Sequence, residues 1–164
     1  MSVADASERY PFDDHPLQDA AQLTWSDRNA SLDALHALED ALAEPTTGRE
    51  QQWLAEVLAT LDGLAGALDA QASGDAESAS LLSEIASDEP RLLPRIERLR
   101  REYADVQQSI VSLRDQLAPN DNVDVDTADV RDRLASVARR LRAQRAREAD
   151  LIYEAVNINL GAGD

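Results

Sequence analysis

Polar side chains that interrupt otherwise apolar helical seams are where this chain could do chemistry. On the last helical stretch Val130, Leu134, Val137 and Leu141 step by four and three residues, and the next two positions of the same stripe are Gln144 and Glu148 before Leu151 and Ala155 resume it. An earlier stripe, Leu54, Val57, Leu61, Leu64 and Leu68, runs on into Gln71 and Asp75. Another passes through Tyr103, whose hydroxyl needs a partner when buried. On the first stretch, stepping from Trp25 to Leu32, Leu35 and Leu42 places Arg28 and Glu39 on the same face. The pattern therefore turns Arg28, Glu39, Gln71, Asp75, Tyr103, Gln144 and Glu148 inward. Two chemistries suit such a set. One is a cation held by the carboxylates Glu39, Asp75 and Glu148. The other is an internal ion pair of Arg28 with Glu148, completed by the amides and the phenol.

Other chemistries are closed off by composition. There is no cysteine, which removes disulfides, thiolate zinc sites, iron–sulfur clusters and a thiol nucleophile. The two histidines are His15, in a DDHP segment with Asp13 and Asp14 that suits at most a surface cation, and His36, expected beside the core or facing solvent. No Glu-x-x-His pair of the ferritin-like carboxylate enzymes is present. No catalytic residues are assigned, and the expectation is a protein that is not an enzyme and carries no cofactor.

The elements that must hold these side chains are helices. Residues 1–19, with Pro11 and Pro16, read as an extended N-terminal arm, and residues 20–164 as one helical domain. A first helix is expected from about 20 to 44, ending before Pro45-Thr46-Thr47-Gly48. A second opens near Arg49 and fades at Ser73-Gly74-Asp75, with Gly63 and Gly66 read as places for a neighbour's close approach. Residues 73–90 read as a loop holding a short helix around Leu81, Leu82 and Ile85. A third helix carries Leu92, Ile96, Leu99, Tyr103, Val106, Ile110, Leu113 and Leu117, an unbroken heptad seam. Asp126 or Thr127 caps a fourth, expected from about 128 to 157, after which NINLGAGD leaves the helix. The fold class that follows is all-α, an up-down-up-down four-helix bundle.

Charge bounds the partners. The chain of 164 residues has a formal net charge of −16, from 32 acidic and 16 basic residues, and every basic residue is an arginine. Such a surface repels phosphate backbones and anionic lipid, so neither nucleic acid nor a membrane is expected as a partner. The arginines gather in the C-terminal half, where pairing with acidic helices accounts for them. An unidentified protein or a small ligand is the expected partner. Val111 and Ile152, apolar but off the seams, offer a homodimer contact or a seat for the arm. The N-terminal segment has no basic stretch followed by an apolar one, which gives a cytoplasmic expectation.

Two stretches, RLLPRIERLRREYADV and RAREADLIYEAVNINLGAGD, together with the helical seams from Trp25 onward, resemble the hemerythrin-like proteins, the hemerythrin HHE cation-binding domain family, in a divergent bacterial form. The resemblance covers 25–164 and is densest over 81–102 and 139–164. It implies a four-helix bundle whose inward histidines and carboxylates hold two non-haem irons, for dioxygen binding or redox sensing. The histidine positions correspond to Arg28, Gln71, Tyr103 and Gln144 here, with Glu148 one turn beyond the last. Read through the family, these are vestigial ligand positions, and the expected metal is none. The resulting expectation is a non-enzymatic bundle kept as a binding or interaction module. Its alternative is an iron- or oxygen-binding protein with an altered carboxylate site.

Overall fold

A computed structural model describes the backbone of residues 16–72, 77–118 and 125–161, and the side chains of these except 16–28, 77–80 and 159–160. All regular structure among the described residues is helical. Five α-helices, α1 (Pro16–Ala43), α2 (Glu50–Ala72), α3 (Glu77–Asp88), α4 (Leu93–Leu117) and α5 (Thr127–Gly161), are joined by short segments, with a 3₁₀ turn (Pro90–Leu92) leading into α4.

The boundaries follow from local chemistry. α1 begins at Pro16, four residues before the expected start, because proline's fixed φ suits the first helical position, where its missing N–H is no loss. Residues 1–15 of the expected arm lie outside the described residues. After α1, Gly48 adopts φ +77°, a left-handed conformation that glycine takes without penalty, and its N–H donates to Glu50 Oε1 at 3.1 Å. Asp126 is the cap of α5, its Oδ1 accepting from the N–H of Ala128 (3.0 Å) and Asp129 (3.2 Å). α5 does not stop at Asn157 but continues to Gly161. No proline or glycine intervenes, and Ala155 still anchors that end in the core.

The short helix expected around Leu81, Leu82 and Ile85 is the 12-residue α3, the third of five α-helices among the described residues. Its serines and alanines hide a real amphipathic face: Leu81, Leu82 and Ile85 are all buried.

Polar contacts fix the mutual directions of the long helices. Trp53 Nε1 donates to the Ala41 carbonyl (2.8 Å) near one end of α1 and α2, and Ser31 meets Gln71 at the other, so these two are antiparallel. Arg133 to Gln116 and Arg147 to Glu102 run α4 against α5. Asp69 with Gln107 and Asp62 with Arg114 do the same for α2 and α4, and Arg142 ties α5 to Glu39 of α1, with Arg131 donating to the carbonyl of Glu44 just past its end. Arg91, Arg95, Arg114, Arg133, Arg142 and Arg147 thus pair with acidic residues within the chain, as the charge pattern suggests for part of the arginine set. α1 also packs on α3.

The seams of α4 and α5 are buried as the period predicts. They build two apolar clusters. The larger takes Leu35, Leu38 and Leu42 of α1, Trp53 to Leu68 of α2, Val106 to Leu117 of α4 and Val130 to Leu141 of α5. The smaller joins Leu81, Leu82 and Ile85 of α3 to Leu92, Ile96, Leu99, Leu151 and Ala155. Tyr103 touches both. Gly63 and Gly66 are exposed, and a Cβ at either would meet nothing within 4 Å, so they mark no close helix approach. Val111 is exposed, whereas Ile152 lies partly buried against the smaller cluster.

Candidate functional site

The polar interruptions of the seams meet in one layer between the two apolar clusters. Gln71 is 7% exposed, while Ser31, Gln144 and Glu148 are each 1% exposed. Each is carried by a different part of the scaffold: Ser31 by α1, Gln71 by the last turn of α2, Tyr103 by the middle of α4, and Gln144 and Glu148 by successive turns of α5.

Four hydrogen bonds connect Arg145, Ser31, Gln71, Tyr103 and Glu148 head to tail. Arg145 Nη2 donates to Ser31 Oγ. Ser31 Oγ donates to Gln71 Oε1 at 3.4 Å, Gln71 Nε2 donates to Tyr103 Oη at 3.3 Å, and Tyr103 Oη donates to Glu148 Oε2 at 3.2 Å. The chain begins on a cation, ends on a carboxylate and crosses all four long helices. Its dipoles align, so each bond polarises the next. Glu148 has no ion pair among the described residues.

Electrostatics inside the layer oppose ionisation of the phenol. Burial, then the Glu148 carboxylate, pushes the Tyr103 hydroxyl up to about 12, with Arg145 pulling weakly the other way. A phenol held there is neither a base nor a nucleophile near neutral pH. The amide of Gln71 in the middle of the chain donates and accepts without exchanging its own protons readily, so the chain positions groups instead of relaying protons.

Of the expected cluster, Gln71, Tyr103 and Glu148 are joined by these bonds. Gln144 lies one turn before Glu148, and its Oε1 has no hydrogen-bond partner among the described residues. The side chain of Arg28 lies outside the described residues, as does Asp75, so the expected Arg28–Glu148 pair falls there too. Glu39 is not inward-facing. It lies on the surface against Arg142, whose Nε donates to Glu39 Oε1 at 2.6 Å and whose Nη2 also reaches the carboxylate, holding it below the usual glutamate range. The buried register of α1 is Ser31, Leu35, Leu38 and Leu42, one residue off the Leu32–Glu39 stripe at two of its steps. His36 is exposed, and His15 lies outside the described residues. Among the described residues no three His, Cys, Asp or Glu side chains gather as a metal site would require.

Ser31 and Arg145 were not singled out by the seam pattern. Ser31 sits on the true α1 seam, and that register would have exposed it; Arg145 flanks a seam and carries no signal of its own.

Beside the layer, between α2, α3 and α4, a cleft of about 230 Å³ opens. Glu148, Tyr103 and Gln71 form its polar side, Leu68 and Leu82 its apolar side, and Arg100 its rim.

No family model, curated protein or solved structure matches the chain.

Proposed function

We propose that this chain is a non-enzymatic, metal-free helical bundle of the hemerythrin-like kind that serves as a binding or interaction module. In this reading α1, α2, α4 and α5 form an up-down-up-down four-helix bundle, and α3 is an added helix on the connection between its second and third members. The antiparallel contacts along these helices support that arrangement. The family likeness rests on the two quoted sequence stretches and on the coincidence of ligand positions with polar interruptions of the seams.

The single observation that carries the functional reading is the Arg145–Ser31–Gln71–Tyr103–Glu148 chain. Where a metal centre would use imidazole and carboxylate lone pairs, these side chains instead hydrogen-bond to one another. Neither an activated nucleophile nor a phenol poised near neutral pH is among them. A net charge of −16 disfavours nucleic acid, and among the described residues no helix is long and apolar enough to cross a membrane. A protein surface or a small organic ligand is left as the partner class.

Elemental analysis of untagged protein from iron-supplemented cells, with absorption spectra recorded with and without air, tests the reading. Metal-free, fully helical protein is the expected result. Stoichiometric iron with an air-dependent band would replace it by the altered carboxylate site and an oxygen-linked role.

A further inference from the structure

Glu148 is the least ordinary group in the molecule: a carboxylate only 1% exposed, facing a cleft, with a single hydrogen bond and no ion pair among the described residues. Burying an anion is costly unless a counter-charge or several donors attend it. Arg145 is joined to Glu148 by hydrogen bonds through Ser31, Gln71 and Tyr103, and Tyr103 donates to one of the two carboxylate oxygens. The carboxylate therefore keeps acceptor capacity on the side of the cleft. The walls beside it are hydrocarbon, chiefly Leu68 and Leu82, with Ala104 on the exposed face of α4.

We propose that this cleft binds a small organic ammonium ion, its charged end on Glu148 and its hydrocarbon against Leu68 and Leu82. The proposal rests on the reading of the protein as a metal-free binding module. Three features select the ligand class. The charge at the closed side is negative and underpaired, which suits a cation. Among the described residues only one carboxylate lines the cleft and its other polar groups there are an amide and a phenol, too few hard ligands for a divalent metal, whereas an ammonium needs only one anionic acceptor and a few neutral ones. At about 230 Å³ the cleft lies below the roughly 300–1,000 Å³ of drug-sized sites, so a short alkyl body fits and a large ring system does not. Arg100 at the rim, hydrogen-bonded to Ser83 Oγ at 3.0 Å, disfavours a second positive charge at the mouth and so favours a monoamine.

The test uses full-length protein carrying ¹³C-labelled tyrosine, titrated with pentylammonium and, in parallel, with pentanol as the neutral control of the same shape. The Tyr103 ring resonance is the reporter, because that side chain lines the cleft and touches Glu148. Pentylammonium is expected to shift it saturably, with pentanol at least tenfold weaker. Glu148→Gln is expected to weaken pentylammonium at least tenfold. Ala104→Phe, at an exposed helical position, fills the cleft without touching the core and should abolish the shift; it decides the matter if Glu148→Gln does not fold. Equal binding of the alcohol, no saturation, or undiminished binding by Ala104→Phe would overturn the proposal. Elemental analysis of the same sample separates the two levels: metal-free protein that ignores pentylammonium refutes only the ligand class, whereas iron in the sample refutes the module reading beneath it.

Discussion

The two buried glutamines should respond to one substitution with opposite signs. Gln144 and Gln71 are both nearly inaccessible, yet Gln144 Oε1 has no hydrogen-bond partner among the described residues while Gln71 accepts from Ser31 and donates to Tyr103. Methionine keeps the unbranched shape of glutamine and removes its polarity. At Gln144 it deletes a buried, unpaired acceptor, which costs about 1–3 kcal/mol where it stands, and adds apolar burial; repacking returns less than about 1.5 kcal/mol of that. Gln144→Met is therefore expected to stabilise the fold by about 1–2 kcal/mol. At Gln71 the same change strips a donor from Tyr103 and an acceptor from Ser31, two bonds of about 0.5–1.5 kcal/mol each, so Gln71→Met should destabilise by about 1–3 kcal/mol. For a chain of 164 residues each kcal/mol moves the melting temperature by about 2–4 °C. Urea unfolding followed by helical circular dichroism reads both variants, with an unchanged slope certifying that only stability has moved. If Gln144→Met lowers stability by more than about 1 kcal/mol, or the two variants shift the same way, the assignment of one satisfied and one unsatisfied amide is wrong.

Further outcomes follow from the same contacts. Tyr103 has its folded pKa raised from 10.0 to about 12, so its contribution to stability is complete below pH 10 and is lost as pH rises through 12, a change on the order of 2–3 kcal/mol. Alkaline unfolding should be shallower in Tyr103→Phe, and ultraviolet titration of the wild type should show one of its three tyrosines ionising last. Glu39, held low by Arg142, contributes stability above the unfolded value near 4.3 that fades as pH falls through its folded value; Glu39→Gln should cost about 0.2–1 kcal/mol, and less in 1 M salt. Gly63→Ala and Gly66→Ala, in open helical positions, should each stabilise by about 0.5–1 kcal/mol in thermal unfolding.

Period carried most of the reading where the seams are strict. Leu92 to Leu117 and Val130 to Ala155 are buried as a heptad demands except at the half-buried Tyr103, and that alone put Gln144 and Glu148 inside. Register failed on α1 because the true seam contains a serine. With Ser31 disguised as a surface residue, the apolar Leu32 drew the stripe one position over and brought Glu39 in with it. α3 is legible as a short helix from Leu81, Leu82 and Ile85, but its length is not: its small polar residues look like a loop, and its helicity depends on those three finding a core that local propensity does not reveal. Arg145 shows a further limit. Its role depends on Ser31 lying across from it on another helix, and no spacing within α5 encodes that.

The division of the interior into two apolar clusters with a polar layer between them bears on how the molecule opens. Water entering that layer finds hydrogen-bonding groups ready to accept it, so the layer is a natural plane of weakness. The α3 end could then breathe as a cooperative unit while the larger cluster stays closed. α4 and α5 restrain this, because both run through the plane; α5, with 35 residues, is about 52 Å long and enters both clusters. Amide exchange should accordingly be graded along α5, with slow exchange around Leu134 and Leu141 and faster exchange beyond Glu148, and one continuous helix would report two local stabilities.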